Sequence, residues 1–190
     1  MRSAWERAAR SPARGFSVLE VFVAVAILLV ALMALAQLTA MSTHANTSAR
    51  TTTSASLLAA QKLEQLRGLA WGFDARDRPV SDATTDLTTS PPSAGTGVGL
   101  TPSPASALVM NTAGYCDFLD ANGRGLGGAG SAPPGTVFVR RWSVSALPQD
   151  ADNTLVFQVR VMRVDGAFAS MVRRLPEEAR LITVKTRTTS

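Results

Sequence analysis

Residues 10–38 read "RSPARGFSVLEVFVAVAILLVALMALAQL". From Phe16 to Ala36 the only polar side chains are Ser17 and Glu20, a run about as long as the ~20 apolar residues that span a hydrocarbon core. Arg2, Arg7, Arg10 and Arg14 lie ahead of it, which predicts a cytoplasmic N-terminus and a C-terminal body beyond the membrane. A secretory signal would carry a shorter apolar core followed by a small-residue cleavage site. Here the small residue, Gly15, comes before the core, so a cut at that point leaves the helix on the mature chain. Glu20 sits one turn inside the run. An acid at the centre of a membrane helix costs roughly 2.5–3.5 kcal/mol on insertion scales, so Glu20 requires a partner or a route to the interface.

The 190 residues suit one domain and an anchor. The pI of about 10.6 invites a nucleic-acid reading, but the distribution of charge argues against it. Arg2, Arg7, Arg10 and Arg14 against Glu6 give the first fifteen residues +3 of the total +5, leaving +2 for the remainder. No dense basic block stands elsewhere. Cys116 is the single cysteine, so no intrachain disulfide framework exists.

Beyond Ala36 the helical signal continues through a slender Ala/Ser/Thr stretch into "LLAAQKLEQLRGLAW" (57–71). Ala59, Leu63, Leu66 and Ala70 form one stripe, while Gln61, Lys62, Glu64, Gln65 and Arg67 are assigned to the other faces. No proline interrupts residues 16–78. A single helix from Phe16 to about Leu69 would reach roughly 80 Å at ~1.5 Å per residue, with Gly68 and Gly72 as stop signals. Its first half, 16–36, belongs in lipid and its second, 37–72, on a soluble domain.

Residues 73–135 are loop-rich, with Ser, Thr, Pro and Gly concentrated at 88–106 and 123–135. Between them "ALVMNTAGYCDFLD" (107–120) offers Tyr115 and Phe118 to a core. Strand patterns return at 136–190. "TLVFQVRVMRVDG" (154–166) places Leu155, Phe157, Val159 and Val161 on one face. In "GTVFVRRWSVSAL" (135–147), Arg140 and Arg141 break the alternation. In "ARLITVKTRT" (179–188), Ile182 and Val184 are expected inward. Pro148–Asn153 and Asp165–Gly166 are expected turns. The expected product is an α+β fold, a long N-terminal helix packed on a small antiparallel sheet.

Candidate sites in the body are weak. Asp117, Asp120 and Asn122 in "DFLDANGRG" (117–125) suggest a calcium loop, but Arg124 stands where an acceptor is needed and Ser131 where a glutamate is needed. A turn is the better reading. His44, the only histidine, and Cys116 have no catalytic or ligating neighbours in sequence. The glycines at 123–130 lack a phosphate-loop pattern. Trp71, Trp142 and Tyr115 read as packing residues. Arg140–Arg141 and Arg173–Arg174 could form a basic patch, though a solvated sheet face accounts for them.

"RGFSVLEVFVAVAILLVAL" resembles the N-terminus of type IV prepilins and type II secretion pseudopilins across residues 14–36. In that family a basic leader ends in glycine, the first mature residue is usually phenylalanine, and a glutamate stands fifth. "AAQKLEQLR" (59–67) resembles minor pilins of the PilV type and I-type pseudopilins. The resemblance implies a type IV pilin-like fold with a leader at 1–15. It implies cleavage between Gly15 and Phe16, N-methylation of Phe16, and Glu20 as the acid that meets a neighbour's N-terminal amine. Implied partners are the prepilin peptidase/N-methyltransferase, major and other minor pilins, and the inner-membrane assembly platform. Nucleic acid is not expected as a partner. The implied protein is no enzyme and needs no cofactor. It is a single-pass inner-membrane subunit with a periplasmic C-terminal domain, later drawn into a pilus or pseudopilus. Three alternatives are an I-type pseudopilin, a DNA-receptor minor pilin, and a signal-anchored periplasmic ligand-binding domain or enzyme.

Overall fold

The computed structural model describes residues 15–128, 130–164 and 178–188. One helix, α1 (Val18–Gly68), is followed by β1 (Trp71–Phe73), β2 (Pro79–Ser81), β3 (Cys116–Leu119), β4 (Gly125–Gly127), β5 (Phe138–Leu147), β6 (Asp150–Arg163) and β7 (Glu178–Thr186). The chain divides into two compact units between Asn46 and Thr47, within α1. Arg173, Arg174 and the expected turn at Asp165–Gly166 lie outside the described residues, as do residues 1–14.

In the first unit every helical side chain through Asn46 is exposed. An 18-residue stretch of α1 has a mean hydropathy of 2.9 and none of it is buried, so the helix is long and apolar enough to cross a membrane. Thr39 and Thr43 donate their hydroxyls to the carbonyls of Leu35 and Thr39, at 2.8 and 2.9 Å. That local bond satisfies a hydroxyl that apolar surroundings would otherwise leave unpaired.

In the second unit α1 packs on a five-stranded antiparallel sheet of order β4-β3-β5-β6-β7. Ala55, Ala59, Leu63 and Leu66 meet Trp142, Val144, Leu155, Phe157, Val159 and Val161 in one core. A fully buried leucine contributes roughly 1.5–3 kcal/mol, so Leu66 alone matters to a domain of this size. The predicted inward set on β6 is found, but two other facing predictions are not. Ala70 is exposed because α1 ends at Gly68, before the stripe would return to that side. Ile182 and Val184 are 58% and 52% exposed. Register decides this: Leu181 lies opposite Val159 and Ala179 opposite Val161, so the inward set on β7 is the odd-numbered one. The β5–β6 turn is also tighter than Pro148–Asn153. Leu147 already pairs with Asp150, and the Asp150 carboxylate accepts from Asn153 and from the Thr154 hydroxyl.

The Ser/Thr/Pro/Gly-rich loops are held to this body. Leu87, Leu100 and Ala107 are core residues, and Asp86 and Ser93 exchange two backbone hydrogen bonds. Gly97 permits the loop to close: a Cβ there would stand 2.2 Å from the Asp86 Cα. Within the other glycine-rich stretch, β4 pairs with β3.

Candidate functional site

The junction singled out in the sequence lies just before α1. Gly15 and Phe16 precede the helix, Phe16 is 82% exposed, and a Cβ added at Gly15 would meet nothing within 4 Å. Both residues of the Gly15–Phe16 peptide are exposed among the described residues. Ser17 opens the helix, its Oγ accepting a hydrogen bond from the Glu20 backbone N–H at 3.2 Å. Ser17 and Glu20 thus occupy the first and last positions of the S-x-x-E capping pattern, in which an acid in the first turn also faces the positive end of the helix dipole. The bond observed is to the Glu20 backbone N–H, which caps the helix whatever side chain stands at that position. Glu20 makes no ion pair with another described residue.

The body holds a second site that sequence reasoning missed. Asp117, on β3, accepts two hydrogen bonds from Arg140 of β5, Nε to Oδ1 at 2.9 Å and Nη2 to Oδ2 at 2.7 Å. Lys62 of α1 places Nζ 2.9 Å from Oδ2. All three residues are buried. Lys62 also donates to the Leu87 carbonyl at 2.5 Å and lies 4.4 Å above the Trp142 ring. The Arg140 Nη1 donates to the Leu58 carbonyl at 3.0 Å. Helix, sheet and loop are therefore joined through one carboxylate. Lys62 was assigned to a solvated face and Arg140 to a solvated sheet surface, and both assignments are overturned. The signals were present: Lys62 follows Leu58 and precedes Leu66 by four residues each, and Arg140 shares the inward row of β5 with Phe138 and Trp142.

Two cations face one anion here, so the cluster carries a formal +1 in a place with almost no water. Burial pushes the Lys62 ammonium down to about 8, Asp117 opposes that shift, and Arg140 reinforces it. The folded value lies below that of the unfolded chain, so the unfolded state binds more protons from about pH 8 up to the ordinary lysine value of 10.5. Stability should rise with pH across that window, by roughly 3 kcal/mol at most. Burial raises Tyr115 above its usual 10, so its contribution falls with pH only beyond that point. Thermal unfolding of the full chain in detergent should therefore show the melting temperature climbing from pH 8 to 10. In Lys62→Met the climb should shrink to the part supplied by Lys185, whose ammonium is also pushed down by burial and by Arg67.

The remaining candidates resolve into structural roles. The Asp120 carboxylate accepts from the backbone N–H groups of Asn122 and Arg124, which builds a turn, while Asp117 is committed to the buried cluster. His44 is exposed on α1. Cys116 packs with Phe118 and Val139 on the sheet's other face. Trp142 lies in the core, Tyr115 donates its hydroxyl to the Thr101 carbonyl, and Trp71 stacks under the Arg187 guanidinium at 3.5 Å. Arg141 is half-buried and donates to the Asn111 side chain, so Arg140 and Arg141 point to opposite faces and form no common patch. A comparison of the chain with known families, characterised proteins and solved structures returns no match.

Proposed function

We propose that the chain is a filament subunit of the type IV pilin kind, a minor pilin of the PilV type. In this reading it is anchored in the inner membrane by residues 16–36, cleaved after Gly15, methylated on Phe16, and drawn into a pilus. The observation that carries the reading is the conjunction at the N-terminus. A basic stretch ends in an accessible Gly15–Phe16 bond, and α1 begins two residues later with an acid in its first turn. The layout of the second unit supports it, because the far end of the same helix serves as the backbone of a small sheet domain. Cleavage would create an ammonium on Phe16, and methylation would keep its charge. A neighbour's Glu20 could then pair with that cation where both leave water, which makes each burial tolerable. An I-type pseudopilin shares all of these features and differs in the machine that it serves.

Processing is the direct test. Peptide mapping of protein recovered from filaments should find N-methylated Phe16 as the first residue. Gly15→Val should leave the precursor uncut while the body folds normally, since a Cβ at that position meets nothing within 4 Å among the described residues. An intact N-terminus starting at Met1 in assembled filaments would exclude the reading and favour a signal-anchored periplasmic domain.

A further inference from the structure

The two edges of the main sheet differ in kind. At one edge β4 is three residues long, and β3 shifts register between Phe118 and Leu119 beside it. Short and irregular edges of this sort resist pairing with other chains. At the other edge β7 runs nine residues, and its register with β6 is unbroken from Glu178 to Thr186. Among the described residues β7 has a strand neighbour on one side only, until Thr188 bridges to Gly72. Four consecutive uncharged residues, Leu181 to Val184, form its middle. Ile182 and Val184 stand exposed on the outer face. Lys185 points inward and does not guard the edge, because its ammonium donates to the Arg67 and Leu69 carbonyls at the end of α1.

Charge narrows the choice of partner. Arg180 is exposed, and its guanidinium donates to the neutral Gln158 amide at 2.6 Å. It lies directly across from Arg160, which in turn lies across from Arg141, so three arginines share a row and a face over β7, β6 and β5. A second copy of β7, paired antiparallel with its Glu178 opposite Arg180, would end before it reached Ile182, because Glu178 is the first residue of the strand. An incoming strand with a carboxylate beside Arg180 would add an attractive cross-strand pair, and its β-branched residues would cover Ile182 and Val184.

We propose that β7 is a docking edge that accepts one extended strand from another protein, acidic opposite Arg180 and β-branched opposite Ile182 and Val184. Alternate backbone N–H and C=O groups of β7 point away from β6 and would supply the hydrogen bonds, with the outer-face side chains setting specificity. The proposal uses no part of the filament reading.

Two short synthetic peptides of alternating valine and threonine test it, one with a single glutamate and one with lysine in its place. The full chain in detergent should bind the glutamate peptide, and bound peptide should slow amide exchange within Ala179–Lys185. The lysine peptide should bind about tenfold more weakly, the change expected when an attractive cross-strand pair becomes repulsive. Arg180→Glu should invert that order. The double variant Ile182→Lys, Val184→Lys should lose binding with its thermal unfolding unchanged, since both side chains are already in solvent. Failure to bind either peptide would overturn the proposal, as would equal binding that ignores Arg180→Glu. So would self-association of the parent chain that the double variant abolishes, because the edge would then serve a second copy.

Discussion

Asp117→Asn should cost the folded body roughly 3–5 kcal/mol, the range seen when one partner of a buried ion pair is removed. The substitution keeps the size of the side chain and deletes the one anion between Lys62 and Arg140. Arg140 has no way to relieve its position, since a guanidinium stays charged at any pH the fold survives. Lys62 can shed its proton, and the loss of Asp117 makes that easier because the carboxylate is what holds the ammonium up against burial. The rise of stability with pH should therefore begin below pH 8 in the variant. Urea unfolding of the full chain at several pH values, read by near-ultraviolet circular dichroism, measures both effects. A loss under about 1 kcal/mol, typical of exposed pairs, would mean that water reaches the cluster. Lys62→Met is the contrasting case. It removes the surplus charge at similar volume and leaves the Arg140–Asp117 pair in place, so it should cost far less than Asp117→Asn.

If the chain is the filament subunit proposed above, Glu20→Gln should leave insertion and cleavage intact and deplete it from filaments. Glutamine can still close a capping box with Ser17, so the helix start is preserved and only the charge is lost. Without that charge, a neighbour's Phe16 ammonium would be left unpaired in the apolar filament core, a cost of about 3–5 kcal/mol. Glu20→Val keeps the backbone N–H that bonds the Ser17 hydroxyl and should behave no better in assembly, even though it enters lipid more easily. The measurement is the ratio of variant in sheared filaments to variant in the membrane pool. A ratio equal to the parent's would assign Glu20 to capping and to the lipid interface alone.

Periodic features were legible in the sequence and those set by pairing were not. The apolar run, the absence of proline to residue 78 and Gly68 as its stop gave α1 nearly to its ends. The clean alternation of Leu155 to Val161 gave the inner face of β6. On β7 both sets of alternate residues include β-branched side chains, Ile182 and Val184 against Leu181 and Thr183. Only the pairing of Leu181 with Val159 distinguishes them. The buried cluster was hidden for a related reason. A lysine or arginine taken singly belongs in water, and its burial becomes reasonable only once a distant carboxylate is known to meet it. Asp117 lies 55 residues from Lys62 and 23 from Arg140, beyond the reach of any local pattern. The N-terminal junction and its acid could be singled out because they fall within six residues, and the structure adds the exposure of Phe16 and the bond from the Glu20 N–H to the Ser17 hydroxyl.

The tie between Lys185 and the end of α1 bears on the order in which the chain can be completed. The Arg67 and Leu69 carbonyls take their side-chain donor from a residue 118 and 116 positions later. Arg187, two residues further on, donates to the Gly72 and Val80 carbonyls and roofs Trp71. None of these carbonyls can find its side-chain donor until the chain has been made as far as Lys185 and Arg187. The seam between the end of α1 and the sheet is thus closed only from Lys185 onward, and a chain halted before that residue leaves it open.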